Sequence, residues 1–156
     1  MKLRFLCAPH RQEMYRNHAL AIYCWQDGFD NGLSLFELMR WREALPFLGQ
    51  AFEAAEIILT TSAMEGDSAC EIFTASSLAL ASTLANLGQM DECINICHLS
   101  QERLGQVSKS DPKLTFWLDK FNEQIIQHKL HPSLLNSFTG MEIHNRKIMP
   151  MVATVH

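Results

Sequence analysis

The stretch Trp-Arg-Glu-Ala-Leu at residues 41–45 recurs in chemical outline as Met-Asp-Glu-Cys-Ile at residues 90–94. Both stretches read large apolar, charged, Glu, small, aliphatic. The same offset of 49 residues matches small residues with small ones and apolar residues with apolar ones at four further pairs: Gly32 and Ala81, Leu35 and Leu84, Leu48 and Cys97, Ala51 and Ser100. Similarity at a fixed offset indicates two copies of one structural unit.

Apolar residues on both sides of these stretches recur every three or four positions, which predicts an all-α fold. A first helix is expected from Arg11 to Trp25, and Gly88 is expected to end a helix because glycine tolerates a positive φ. The run Asp27–Gly32 has turn chemistry, whereas the repeat register favours a helix that resumes within it, so the end of the first helix is left open. The other predicted helices cover residues 34–40, 41–59, 69–87 and 90–104, with a last one between Pro112 and His131.

The order of small and large residues resembles the tetratricopeptide repeat over residues 29–104. The small positions are Gly32, Ala44 and Ala51 in the first unit, and Ala81, Cys93 and Ser100 in the second. Small side chains at helix crossings allow the close approach that fixes packing geometry. The period of 49 exceeds the usual length of about 34 residues, and no Pro follows either second helix, so the chain resembles the family without forming a regular array.

The resemblance implies antiparallel helical hairpins whose first helices line an inner groove for a protein ligand. On this register the expected partner-binding residues are Gln26, Phe29, Leu33, Phe36, Ala75, Leu78, Ser82 and Asn86. Because these positions are largely apolar and carry no Lys or Arg, they favour an amphipathic helix or an extended apolar segment as ligand.

One domain is expected over residues 1–131, followed by a C-terminal tail over residues 132–156. The tail contains Met141, Ile143, Ile148, Met149 and Val152, which is unusually apolar for a free terminus. We expect it to dock on the groove of its own chain or on a second copy. The second arrangement would produce a homodimer.

Cysteine usage and hydropathy suggest a cytoplasmic protein. The five cysteines are odd in number and do not form a disulfide framework. The apolar patch Phe5–Ala8 is too short for a signal peptide. The uncharged stretch Ile72–Met90 contains several hydroxyl and amide side chains, which favours a buried helix over a membrane span.

The charge distribution is uneven. Residues 51–100 contain seven acidic residues and no Lys or Arg. An acidic surface repels phosphate backbones, so no nucleic-acid ligand is expected. A solvated acidic face and a surface that attracts a basic protein partner both agree with this pattern.

Cys93, Cys97 and His98 form the strongest candidate for chemistry, because two thiols four residues apart share one helical face and could bind a metal. The repeat register explains the same cysteines as core residues. His128 and His131 are one helical turn apart, and His144 and His156 follow in the tail, so these four could also form a metal site. Histidines near a helix C-terminus are explained equally by their favourable interaction with the helix dipole. No catalytic motif is recognisable, so we expect no enzyme activity, metal or cofactor.

These features predict a non-enzymatic adaptor or chaperone that holds an apolar segment of a client protein. Bacterial secretion chaperones with tetratricopeptide folds are similar in size and acidity, a likeness at the level of fold only. The alternative is a small metal- or thiol-dependent enzyme or regulator that uses Cys93, Cys97 and His98.

Overall fold

The computed structural model describes residues 4–127, and every regular element in that range is helical. The expectations for the tail at residues 132–156, for a homodimer through it and for His128, His131, His144 and His156 lie outside the described residues. The helices are α1 Ala8–Arg16, α2 His18–Glu37, α3 Trp41–Thr61, α4 Gly66–Asn86, α5 Met90–Ser110 and α6 Thr115–Gln127, with a 3-10 turn at Pro112–Leu114 before α6.

The internal repeat is present in the backbone. Helices α3 and α5 each have 21 residues and start at Trp41 and Met90, 49 positions apart. Helices α2 and α4 end at Glu37 and Asn86, again 49 positions apart. The two units are therefore helical hairpins in one register, α2 with α3 and α4 with α5.

The two hairpin turns also use equivalent hydrogen bonds. In the first, the amide of Met39 donates to the Phe36 carbonyl and that of Arg40 to the Leu35 carbonyl, both at 2.9 Å. In the second, the equivalent amides of Gly88 and Gln89 donate to Ala85 at 3.0 Å and to Leu84 at 2.9 Å. These pairs of bonds define a Schellman motif, which places the residue after the helix cap in the left-handed region.

Met39 and Gly88 occupy that left-handed position, with φ of 59° and 73°. A side chain with a Cβ is strained there, whereas glycine is not. Because Met39 is 51% exposed, it contributes little packing. Replacing Met39 by glycine should therefore raise the free energy of unfolding by about 0.5–1 kcal/mol, after allowance for the greater freedom of glycine in the unfolded chain.

Gly88→Ala is the reciprocal change, because a Cβ at residue 88 would meet nothing within 4 Å and backbone strain is the only expected cost. It should lower the free energy of unfolding by about 1 kcal/mol. Urea unfolding of both variants measures the two effects. A Met39→Gly variant less stable than the parent would contradict the equivalence of the two turns.

Glycines set the contact between α2 and α3. A Cβ on Gly28 would lie 2.8 Å from the Phe47 carbonyl oxygen, and one on Gly32 would lie 2.5 Å from Leu48 Cδ2. Because Gly28 is close to Ala51 and Gly32 to Leu48, the two helices run antiparallel. The run Asp27–Gly32 is thus helical throughout, which decides between the turn and the resumed helix that the sequence left open, and its glycines serve close packing.

Several predicted boundaries were wrong. The first predicted helix, Arg11–Trp25, is interrupted at Asn17, whose backbone is extended (φ −124°, ψ 95°) and whose side chain accepts a hydrogen bond from the Leu20 amide at 3.1 Å. This cap starts a separate helix α2. The predicted loop before α4 is shorter, since Gly66 already lies in α4. Helix α5 continues beyond residue 104 to Ser110.

The core is centred on α3 and α4. Helix α3 is buried without interruption from Ala51 to Leu59, which places it between its neighbours. Ala44 and Cys93 are both 0% exposed, so the predicted burial of this repeat-related pair is confirmed. Helix α4 is long and apolar enough to cross a membrane, but 89% of its apolar 18-residue window is buried inside the protein, as is common for a core helix.

Candidate functional site

The predicted groove is part of the core. Phe29 is 0% exposed, Phe36 4%, Ala75 2%, Leu78 1% and Ser82 0%. The expectation that these five residues line an open groove is therefore wrong. Gln26 is exposed and Leu33 and Asn86 are half-buried, so partner binding at these three positions stays a prediction.

Part of the contact that buries these residues joins the first helices of the two hairpins. The indole nitrogen of Trp25 on α2 donates a hydrogen bond to Ser76 Oγ on α4 at 2.9 Å. The Phe29 ring stacks on Trp25 with a centroid distance of 5.7 Å. Trp25 and Phe29 are thus core residues and do not line an open groove.

An open cavity lies instead between α3 and α5, the second helices of the two hairpins. It has a volume of about 610 Å³, which is within the range of ligand-binding pockets. We call it the α3–α5 pocket. Its walls come from the N-terminal segment and helices α1, α3 and α5: Arg4, Phe5, Arg11, Tyr15, Phe52, Glu53, Glu56, Thr60, Glu92, Asn95, Ile96, Leu99 and Arg103.

Buried ion pairs build one wall of the α3–α5 pocket. Glu53 and Glu56, one turn apart on α3, are only 6% and 9% exposed. Arg11 on α1 pairs with Glu53 and lies 3.7 Å from Glu56. Arg103 on α5 donates from Nε to Glu56 Oε2 at 2.9 Å. Two acids and two arginines thereby balance in charge and tie three helices together.

The N-terminal segment, residues 4–6, is held against α3 by the carboxylate of Glu53. The backbone amides of Phe5 and Leu6 both donate to Glu53 Oε2, the second at 3.0 Å. The Phe5 ring fills the space above Gly49, where an added Cβ would lie 2.3 Å from the ring. Leu6 is 6% exposed. A non-helical segment of the chain itself, with apolar side chains, thus packs on this face of the protein.

The remaining surface of the pocket combines an apolar floor with polar groups. Phe52, Ile96 and Leu99 supply the apolar part. Of the six charged lining residues, four belong to the balanced ion-pair network. Within the described range of the chain, the side chains of Arg4 and Glu92 make no hydrogen bond or ion pair. A ligand can therefore gain both apolar contacts and charged hydrogen bonds.

The cysteines proposed for chemistry are core residues. Cys93 is 0% and Cys97 7% exposed, which confirms the packing interpretation, whereas His98 is exposed. The pKa of Cys97 is raised, because its thiol is hydrogen-bonded to Cys93 and is buried. Burial likewise raises the pKa of Cys70 to about 12, with a further contribution from Asp67. Among residues 4–127 no group of three or more His, Cys, Asp or Glu side chains could hold a metal ion.

The acidic segment at residues 51–100 is not a uniformly solvated face. Two of its seven acids, Glu53 and Glu56, are neutralised by Arg11 and Arg103 from outside the segment. Their position within the apolar stretch Ala51–Leu59 is a sequence signal for buried ion pairs, because carboxylates are rarely buried unless they are paired. It does not reveal the arginines, which are 42 and 47 residues away from their partners.

The resemblance to tetratricopeptide proteins rests on the chain's own residues and repeat. No protein-family model, curated protein or solved structure matches this chain.

Proposed function

We propose that this protein is a non-enzymatic adaptor or chaperone, built from tetratricopeptide-like helical hairpins, that holds an apolar segment of a client protein in the α3–α5 pocket. The binding site in this proposal is on the side of the second helices, not in the inner groove expected from the resemblance. The cellular setting in the proposal is cytoplasmic.

The observation that carries the proposal is the composition of the pocket. A cavity of about 610 Å³ with Phe52, Ile96 and Leu99 at its floor can remove apolar side chains of a ligand from water. The ion-pair network of α1, α3 and α5 holds its walls in place before any ligand arrives. A preformed site loses less conformational entropy on binding than one that must be ordered.

The repeat supports the adaptor class. Two hairpins with the same turn bonds form a helical-repeat scaffold, and such scaffolds commonly present binding surfaces. The alternative of a metal- or thiol-dependent activity gains no support from Cys93 and Cys97, which pack in the core. We therefore propose no second function.

The pocket can be tested without knowledge of the client, by selecting a displayed library of short random peptides against the full chain. Asn95→Trp should fill the pocket from an exposed position, and Leu99→Lys should place a charge in its apolar floor. Each change should weaken the selected peptides by about tenfold or more, as for a central contact of an interface.

Leu38→Lys is the control, because Leu38 is 65% exposed and lies outside the pocket. Circular dichroism of all three variants verifies that the helices are intact. The proposal is wrong if no peptide is enriched, or if peptides bind Asn95→Trp and Leu38→Lys equally well.

A further inference from the structure

The charges that the protein leaves open in the α3–α5 pocket indicate which ligands it selects. Glu53 is saturated by two backbone amides and Arg11, and Glu56 accepts from Arg103. Both carboxylates are thus engaged by protein donors and are only 6% and 9% exposed, which leaves little of either for a ligand.

The open hydrogen-bonding groups are mainly donors. Arg4 is exposed and retains all the donors of its guanidinium within the described residues. Arg103 uses Nε for Glu56, with its Nη1 3.9 Å from Glu102, and is still 27% exposed. Asn95 adds an exposed amide, which can both donate and accept. Against these donors Glu92 is the single lining carboxylate outside the ion-pair network among the residues described. The guanidinium donors favour a ligand that accepts hydrogen bonds, and a carboxylate is the acceptor that arginine binds most strongly.

The N-terminal segment shows what kind of backbone this face accommodates. Residues 4–6 lie on α3 in a non-helical conformation, with Phe5 over Gly49 and two amides bonded to a side chain. Since Phe5 also lines the pocket, a second non-helical segment in the pocket would lie beside the first and contact its aromatic ring.

We propose that the α3–α5 pocket selects a non-helical client segment in which an aromatic or aliphatic residue is accompanied by a nearby acidic residue. The apolar side chain packs on Phe52, Ile96 and Leu99. The carboxylate is bound by the guanidinium of Arg4, with Arg103 as the second donor. This specificity rests on the proposed function and adds the sign of the client's charge. An acidic client segment is the opposite of the basic client suggested by the acidic composition of residues 51–100. The two buried acids of that segment, Glu53 and Glu56, are already paired with arginines.

The test uses the same displayed peptides with charge-reversed full-length chains. The parent should enrich peptides with Asp or Glu close to an apolar residue, and Arg4→Glu should enrich Lys or Arg at that place instead. The best parental peptide should bind Arg4→Glu about tenfold more weakly, since an attraction is replaced by a repulsion. High salt should reduce the difference, because the Debye length falls to about 3 Å at 1 M.

Arg42→Glu is the matched control, because Arg42 is also exposed but does not line the pocket. It should select the same peptides as the parent. Enriched peptides with no acidic preference, or an unchanged preference in Arg4→Glu, would overturn the proposed specificity and leave the pocket as a binding site. Failure to enrich any peptide would remove the binding function itself and the specificity with it.

Discussion

Replacing Glu53 by alanine is expected to lower the free energy of unfolding by about 3 kcal/mol, as when one partner of a buried ion pair is removed. Arg11, with its side chain 16% exposed, would lose its closest acid and keep only Glu56 at 3.7 Å. The amides of Phe5 and Leu6 would lose their acceptor at the same time. Urea unfolding followed by circular dichroism measures the change.

The repeat provides a matched control for Glu53. Glu102 occupies the equivalent position, 49 residues later, but its side chain is 61% exposed. Glu102→Ala should change the free energy of unfolding by no more than about 0.5 kcal/mol. Equal effects of the two substitutions would show that the network around Glu53 does not stabilise the fold.

Trp25→Ala is expected to cost about 3–5 kcal/mol, the range for truncation of a large buried aromatic residue. Trp25 is 1% exposed, stacks on Phe29 and donates its indole hydrogen bond to Ser76 on α4. Truncation would leave a cavity between the two hairpins, and the buried Ser76 hydroxyl would lose its hydrogen-bond donor. The midpoint of urea unfolding should fall accordingly.

Two further variants separate the contributions at Trp25. Trp25→Phe retains an aromatic ring but removes the hydrogen bond to Ser76, so a loss of about 1–2 kcal/mol is expected. Tyr23→Ala is the control on the same helix, because Tyr23 is 64% exposed. If Trp25→Ala proves as mild as Tyr23→Ala, the packing of α2 on α4 cannot be what closes the predicted groove.

The hairpins could be predicted because local rules decided them. The offset of 49 residues identified the paired starts of α3 and α5, and it favoured a helix resuming within Asp27–Gly32 against the local turn chemistry, where the structure has continuous helix. The packing of Gly28 and Gly32 on α3 explains why the register was right. The break at Asn17 was missed, because the apolar pattern continues across it and only the cap geometry separates α1 from α2.

The candidate site could not be predicted in the same way. The inner groove was placed by analogy with proteins whose first helices leave a ligand channel, and Phe29 and Leu78 fitted that analogy by residue type. Apolar residues of this kind serve a core as well as a groove. Whether they are open to solvent depends on the distance between α2 and α4, which a single sequence does not specify.

Glu53 and Glu102 illustrate the boundary between the two kinds of information. The sequence by itself determined that both lie at the same position of repeated second helices, because that follows from periodicity and offset. Only the tertiary structure decided that Glu53 is buried and that Glu102 is exposed. The N-terminal segment and α1 fold over the first hairpin and bring Phe5, Leu6 and Arg11 to Glu53. Burial and charge pairing depend on which distant segments meet, so residues equivalent in sequence can occupy opposite environments.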